Sequence, residues 1–327
     1  MSDFIVVAGP DIADILRGDK AEVRDIVAST YRLHDAGDTI NPDSYFLRFP
    51  HKPDSRVIAL PAYIGAGVNR MGIKWISSFP DNLSRGIPRA SAVLILNDFE
   101  TGRPLACLES AHISAARTAA SAAVAAEQLC RGTGITVGVV GTGVIASTVL
   151  DHLHSSTVDI ADVVAHDLDH ERVTGFAEQV RAEIGLDVAP VGLNTALKAD
   201  LVVFATTAGE PYVAADHRFA PGQVVLNISL RDLPPEVILA STNLVDDVEH
   251  CLKANTSPHL AEQATGSREF IHGTLGGLLN GTVALPDGKP VVFSPFGLGV
   301  LDIAVGSHVM DRALETGKAT VINRFIG

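Results

Sequence analysis

The chain is poor in the features that mark several large classes of protein. Its three cysteines, Cys107, Cys130 and Cys251, are odd in number and widely scattered. They read as reduced thiols, and neither a disulfide framework nor a cysteine-based metal site is expected. No block of lysine or arginine occurs and the formal net charge is −13, so nucleic acid, whose phosphates need such a block, is not an expected partner. No apolar run is long enough to cross a bilayer, because turn residues break the glycine-rich strands. The opening MSDFIVVAGPDIAD has no basic segment and only a short apolar run. A secretory signal is therefore not expected there, and a cytoplasmic location is. HExxH, GxSxG and paired CxxC motifs are missing, and His152 and His154, two apart on a predicted helix, point away from each other. Neither metal binding nor histidine-based hydrolysis is expected.

What the chain does have is length and apolar content. Its 327 residues are 46% hydrophobic and 19% charged, enough for two domains with substantial cores in a soluble α/β protein. The stretch TVGVVGTGVIASTVL, residues 136–150, organises the rest. An apolar run meets Gly141-Thr142-Gly143-Val144-Ile145-Ala146 and passes into residues that suit a helix. This is the strand, glycine turn and helix of a dinucleotide-binding unit. The helix's first amides would face the pyrophosphate with a favourable dipole. Roughly 20 residues past the turn such a unit needs an acid at the end of its second strand, to accept from the adenosine ribose. DVVAHD supplies Asp167. An acid there repels a 2′-phosphate, so NAD is favoured over NADP, with Arg172 further into the following helix. The other reading is a glycine turn of a different α/β protein, with Asp167 capping the next helix.

Taken in order, residues 11–37 read as one helix ended by Gly37. Strand-like runs follow: SYFLRFP, VIALPAYI, MGIKWISS, ASAVLILND and PLACLE, the last two joined by a hairpin turn at 98–104. A mainly antiparallel sheet is expected. The alanine-rich segment 113–129 reads as a closely packing helix, with Arg131 to Gly134 as a domain boundary. From residue 135, apolar runs at 135–140, 162–166, 201–205, 223–228 and 243–248 alternate with helical segments, the pattern of a parallel sheet. The last helix-like segment, LGVLDIAVGSHVMDRALETG, is expected to end the chain with no strand after it and to return to the first domain. The fold class is thus α/β, a Rossmann-type doubly wound parallel sheet (131–301) beside a discontinuous α+β domain (1–130 and 302–327).

Four further residues draw attention. Lys74 shares a strand face with Gly72 and Ile76, which suits an edge or snorkelling lysine, a cation for a substrate carboxylate, or a buried catalytic amine with a lowered pKa. Arg117 lies among small apolar residues, so an acid of the chain or an anionic ligand must meet it. Arg48, between aromatics, poses the same question. Asp232 follows the strand VVLNISL at the edge where ligands of open α/β sheets bind, and it also suits a cap for the helix PPEVIL.

With these residues assembled, the chain resembles the ornithine cyclodeaminase/μ-crystallin family over nearly its full length. The resemblance lies in GIKW around Lys74, AARTAA around Arg117, VGVVGTG, ATTA at 205–208 and LNISLRDLPPE around Asp232. It implies that Lys74, Arg117 and Arg48 hold an amino acid's carboxylate and that Asp232 is the acid/base. It further implies that Thr206, Thr207 and Ala208 line the nicotinamide side of bound NAD. It also implies a homodimer formed through the N-terminal substrate domain. GIKWISSFPDN, GIPRASAVLILND, DDVEHCLKANTSPHL and FSPFGLGVLD resemble a subgroup of that family. That subgroup oxidises N-(2-amino-2-carboxyethyl)-L-glutamate for 2,3-diaminopropionate synthesis in siderophore or peptide-antibiotic pathways. A substrate with three carboxylates needs several cations, and Arg89 joins Arg48, Lys74 and Arg117 as a candidate. Cyclodeaminases carry an acid shortly before the lysine strand where VIALPAYI has none. A redox-neutral ornithine cyclodeaminase and a non-catalytic nucleotide-dependent binding protein remain the other readings.

Overall fold

The computed structural model describes residues 2–326. The chain divides into two compact units, Met1–Arg117 with Leu298–Gly327, and Thr118–Gly297. Its elements begin with β1 (Ser2–Val7), α1 (Gly9–Gly18), α2 (Lys20–Asp35), β2 (Thr39–Ile40), β3 (Tyr45–Phe49), β4 (Lys52–Ile64) and β5 (Arg70–Ser78). A short 3-10 turn leads to β6 (Ala90–Asp98), β7 (Pro104–Glu109) and α3 (Ala111–Leu129). The second unit continues with β8 (Ile135–Val140), α4 (Val144–His154), β9 (Ile160–His166), α5 (His170–Ile184), β10 (Val188–Pro190), α6 (Leu193–Ala196), β11 (Leu201–Phe204) and β12 (Val224–Asn227). It ends with α7 (Pro235–Leu239), β13 (Thr242–Val245), α8 (Val248–Cys251), α9 (Ser257–Thr265), β14 (Ile271–Thr274), α10 (Leu275–Leu279) and β15 (Val291–Ser294). The chain then returns to the first unit as α11 (Gly299–Glu315) and β16 (Thr320–Ile326).

The first unit carries a sheet in the order β16-β1-β7-β6-β5-β4-β2, with β3 also on β4. Its pairs are antiparallel except β1 with β7. α11 lies across β4, β5 and β6 with α1 and α2 on its other side. From Gly299 to Met310 it is buried nearly all round, as a helix covered on both sides must be. Gly306 lets it approach the sheet: a Cβ there would stand 2.1 Å from a methyl of Leu94. In the middle of a helix that glycine costs about 1 kcal/mol relative to alanine, and the close packing is what offsets it.

Two expectations are corrected here. The single helix over 11–37 is two helices, broken at Gly18 and Asp19. Glycine disfavours helix, and Asp19 leaves helical geometry with φ −108° and ψ 26°. Its carboxylate accepts from His308 Nε2 at 2.9 Å and Arg312 Nε at 3.0 Å, both on α11. The last helix is not the end of the ordered chain. β16 follows it and pairs antiparallel with β1, and the Phe4 and Phe325 rings stack 4.3 Å apart. Each strand is short and finds its partner only across the length of the chain, so local pattern gives little sign of either.

The second unit is the expected doubly wound arrangement. Its parallel sheet runs β10-β9-β8-β11-β12-β15-β13-β14. β8, β11 and β12 are buried almost throughout, which matches their richness in Val and Leu: helices cover both faces. The strand order reverses between β8 and β11, and the crevice beyond their carboxyl ends is where such sheets take ligands. β10, β14 and β15 add strands beyond those the sequence pattern announces.

Candidate active site

In the second unit the turn after β8 is built for close approach. Gly141 has φ +87° and a Cβ there would stand 2.7 Å from the carbonyl oxygen of Ala205, so only glycine fits. Gly143 is the N-cap of α4, and among the described residues no side chain caps the helix's first amides. A Cβ at Gly143 would meet nothing within 4 Å. Unclaimed amides, open space and the helix dipole together suit a pyrophosphate. Val144 is exposed and Ile145 partly so.

Asp167 stands immediately after β9. Its Oδ2 accepts from both the amide and the hydroxyl of Thr142, each at 2.9 Å, and Oδ1 accepts from the Asp169 amide at 3.2 Å. Burial pushes this carboxyl upward, but these hydrogen bonds and the Arg172 charge outweigh it and hold it below its usual value. Arg172, in the first turn of α5, thus acts on Asp167 directly. The cap of α5 is Asp169, whose side chain accepts from Glu171. Asp167 is free of that duty.

A second group lies past β12. The loop carrying Asp232 is braced on several sides. Arg231 donates to the carbonyls of Asn255 and Ala254 at 3.0 and 2.7 Å, and the Leu233 amide donates to Ser257 Oγ at 3.2 Å. Asp232 itself is 0% exposed. Its Oδ1 accepts from Thr206 Oγ1 at 2.5 Å and from the Tyr212 hydroxyl at 2.9 Å. Its Oδ2 is buried and has no hydrogen-bond partner among the described residues. The same holds for Asn227 Oδ1 and Ser229 Oγ on the same segment. Buried polar atoms without partners are costly, and three between the end of β12 and Asp232 mark a place where a ligand would complete the bonding. Asp232 does not cap the following helix: the N-cap of α7 is Pro234, with no side-chain cap bond. Of the ATTA residues, Thr206 faces Asp232, Ala208 donates its amide to Thr206 Oγ1 at 3.2 Å, and Thr207 is exposed. Tyr212, which sequence reasoning passes over, has its phenol pushed well up by burial and by the Asp232 charge.

In the first unit Lys74 is no edge residue. It lies on β5, between β4 and β6, and is 2% exposed. Its Nζ donates to Asp302 Oδ2 at 2.6 Å and to Ser114 Oγ at 3.2 Å. Arg117 Nε donates to the other oxygen of Asp302 at 3.3 Å. Burial lowers the Lys74 ammonium to about 8, with Asp302 pulling against the change and Arg117 adding to it. Asp302, 0% exposed, is the acid of the chain that meets Arg117. Sequence reasoning missed it, although an acid inside the apolar run GVLDIAVG is itself a signal. Two cations and one carboxylate leave a single positive charge in the cluster, the charge that one substrate carboxylate would match.

Arg48 and Arg89 are not brought to that cluster. Arg48 pairs across β3 and β4 with Arg56, which pairs in turn with Ser78 on β5, and Arg89 Nη1 donates to Ser78 Oγ at 3.0 Å. Ser78 is on the Lys74 face of β5 but four residues along it, roughly 13 Å at the rise of a strand. The Arg48 guanidinium sits over the Phe46 ring, 5.2 Å from its centroid. The cations therefore form two groups on one sheet face.

Comparison with known proteins places the whole chain. The pattern of the ornithine cyclodeaminase/mu-crystallin family matches residues 18–317. The chain belongs to that family. It is 29% identical to the N-((2S)-2-amino-2-carboxyethyl)-L-glutamate dehydrogenase of Staphylococcus aureus, over 92% of this chain and 93% of that one. Its fold is that of the Δ1-pyrroline-2-carboxylate reductase of Thermococcus litoralis, solved with NADH and L-proline. The TM-score is 0.88 at 24% identity, over 97% of this chain and 99% of that one. An archaeal alanine dehydrogenase, solved as a dimer with bound NAD, superposes with a TM-score of 0.88 at 24% identity, over 99% and 100% of the two chains.

Proposed function

We propose that the protein is an NAD-dependent oxidoreductase that acts on the C–N bond of an amino acid, and that its substrate is N-(2-amino-2-carboxyethyl)-L-glutamate. The observation that carries the reaction class is Asp232, a buried carboxylate with one oxygen held and the other unpartnered, on a loop at the carboxyl edge of a sheet with a dinucleotide turn. The named activity of the S. aureus relative supports the choice of substrate. So do the two cation groups on the first unit's sheet, since a tricarboxylate needs more than one.

The residues fit NAD. Gly141, Gly143 and the first amides of α4 would hold the pyrophosphate, and Asp167 would meet the ribose and disfavour a 2′-phosphate. Bound NAD supplies the hydride acceptor. Lys74 and Arg117, aligned by Asp302, would bind one carboxylate, with Arg48 and Arg89 available to another. Asp232 Oδ2 takes the proton of the secondary amine as the glutamate Cα–H leaves as hydride, and the C–N bond becomes an imine. Water then adds to the imine carbon and both of its hydrogens pass to the nitrogen as the C–N bond breaks, giving 2-oxoglutarate and 2,3-diaminopropionate; the proton taken by Asp232 is the one H⁺ released with each NADH.

The test is NADH formation by absorbance from this substrate and NAD, compared with ornithine, glutamate and alanine. A rise with the first alone supports the reading. Ammonia and proline from ornithine without NADH would replace it with a cyclodeaminase, and NAD binding without any turnover would replace it with a binding protein. We also infer a homodimer through the sheet face of the first unit opposite α11, where Trp75 is 44% exposed and Val93 40%. A monomer by light scattering would overturn that.

A further inference from the structure

We propose that Tyr212 is a positioning residue for Asp232: with Thr206 it fixes the carboxylate so that Oδ2 is its one proton-accepting oxygen. The inference rests on Asp232 being the acid/base, and adds how that group is aimed.

Both donors go to the same oxygen. Thr206 Oγ1 lies 2.5 Å and the Tyr212 hydroxyl 2.9 Å from Oδ1, while Oδ2 receives no hydrogen bond from the described residues. A carboxylate with one donor on each oxygen would be held equally well but would leave neither oxygen uncommitted. Two donors on one oxygen divide the group into a held half and a reactive half. The threonine's direction is set as well: its oxygen accepts from the Ala208 amide at 3.2 Å, which leaves its proton for Asp232. Tyr212 is also tethered through its backbone, since the amides of Tyr212 and Val213 both donate to the Asp232 carbonyl at 3.3 Å. Side chain and main chain of one loop thus grip side chain and main chain of the other. The phenol stays protonated far above neutrality because burial and the Asp232 charge both oppose its ionisation, so it remains a donor throughout the working pH range. Tyr212 is 40% exposed, and removing only its hydroxyl leaves the ring's packing in place.

The experiment compares Tyr212→Phe and Asp232→Asn with the unaltered protein in NADH formation from N-(2-amino-2-carboxyethyl)-L-glutamate. NAD affinity and thermal unfolding are measured alongside. Losing one donor to a charged acceptor is expected to lower kcat roughly 10-fold or more. Both KM values and NAD affinity should stay within about two-fold, and the solvent deuterium isotope effect on kcat should grow as proton transfer becomes slower. Asp232→Asn is expected to abolish turnover. An unchanged kcat in Tyr212→Phe, with Asp232→Asn inactive, would overturn the role of Tyr212 alone. Parallel loss of NAD affinity, or a lower kcat without change in the isotope effect, would make Tyr212 a structural residue and overturn it too. Retained turnover in Asp232→Asn, or none in the unaltered protein, would remove the acid/base reading beneath both.

Discussion

Stability of the first unit should rise with pH between about 8 and 10.5, and Lys74 is the reason. The unfolded chain releases this proton near 10.5 and the folded one near 8. Below 8 both states are protonated, and the fold bears the full cost of a buried cation. Between the two values the unfolded state binds a proton that the folded state does not, so raising the pH favours folding; above 10.5 nothing more is gained. The interval corresponds to roughly 3 kcal/mol. Lys74 is buried, so solvent screening takes little from that figure. The chain's single tryptophan is Trp75, the next residue on β5, and its fluorescence reports unfolding of this unit. Urea titrations at several pH values, on the unaltered protein and on Lys74→Met, isolate the contribution of the amine. The stability of the former should gain on the latter by roughly 3 kcal/mol across the interval. A difference that stays flat would refute the reasoning. It would mean that Asp302 keeps the ammonium charged at its ordinary value.

Other outcomes follow from the same geometry. Asp302→Ala leaves Lys74 and Arg117 buried without their acid, and should cost the first unit about 3–5 kcal/mol by the tryptophan assay. A loss below about 1 kcal/mol would mean that water enters the cluster. Arg117→Ala should raise substrate KM roughly 10-fold or more with NAD affinity unchanged in calorimetry; a large loss of NAD affinity would count against its assignment to the substrate. Asp167→Ala should weaken NAD and narrow its advantage over NADP, and equal preference before and after the change would remove Asp167 from the ribose. Gly306→Val should destabilise the first unit by about 1–3 kcal/mol, the usual cost of overpacking, read as a lower urea midpoint.

What the sequence discloses is local. The glycine turn, its flanking strand and helix, and the acid after the next strand lie within a few dozen residues, and each constrains the next. Lys74, Arg117 and Asp232 stand out as candidates because each is a charge in an apolar setting. Their partners are another matter. Lys74 and Asp302 are 228 residues apart, and no periodicity links them. Tyr212 looks like an ordinary loop aromatic until the Asp232 carboxylate is seen beneath its hydroxyl. The break at Asp19 likewise depends on His308 and Arg312, near the other end of the chain, and overrides a helical pattern that runs straight through it.

The separation of Lys74 from its acid also has a bearing on how the protein is made. At the usual pace of synthesis, about 5–20 residues per second, the lysine leaves the ribosome roughly 10 to 45 seconds before Asp302 can reach it. Until then the ammonium has no counter-charge, and the sheet around it cannot close without burying a lone cation. The helix that brings Asp302, and the strand that pairs with β1, both follow the whole of the second unit along the chain. The first unit, which contains β1, is therefore finished after the second. The dinucleotide unit, one continuous stretch, can fold during translation, while its companion must wait for α11 and β16, which follow that stretch. A nascent chain arrested before residue 302 would hold a complete nucleotide fold joined to an open sheet, and would be the form most exposed to chaperones and proteases.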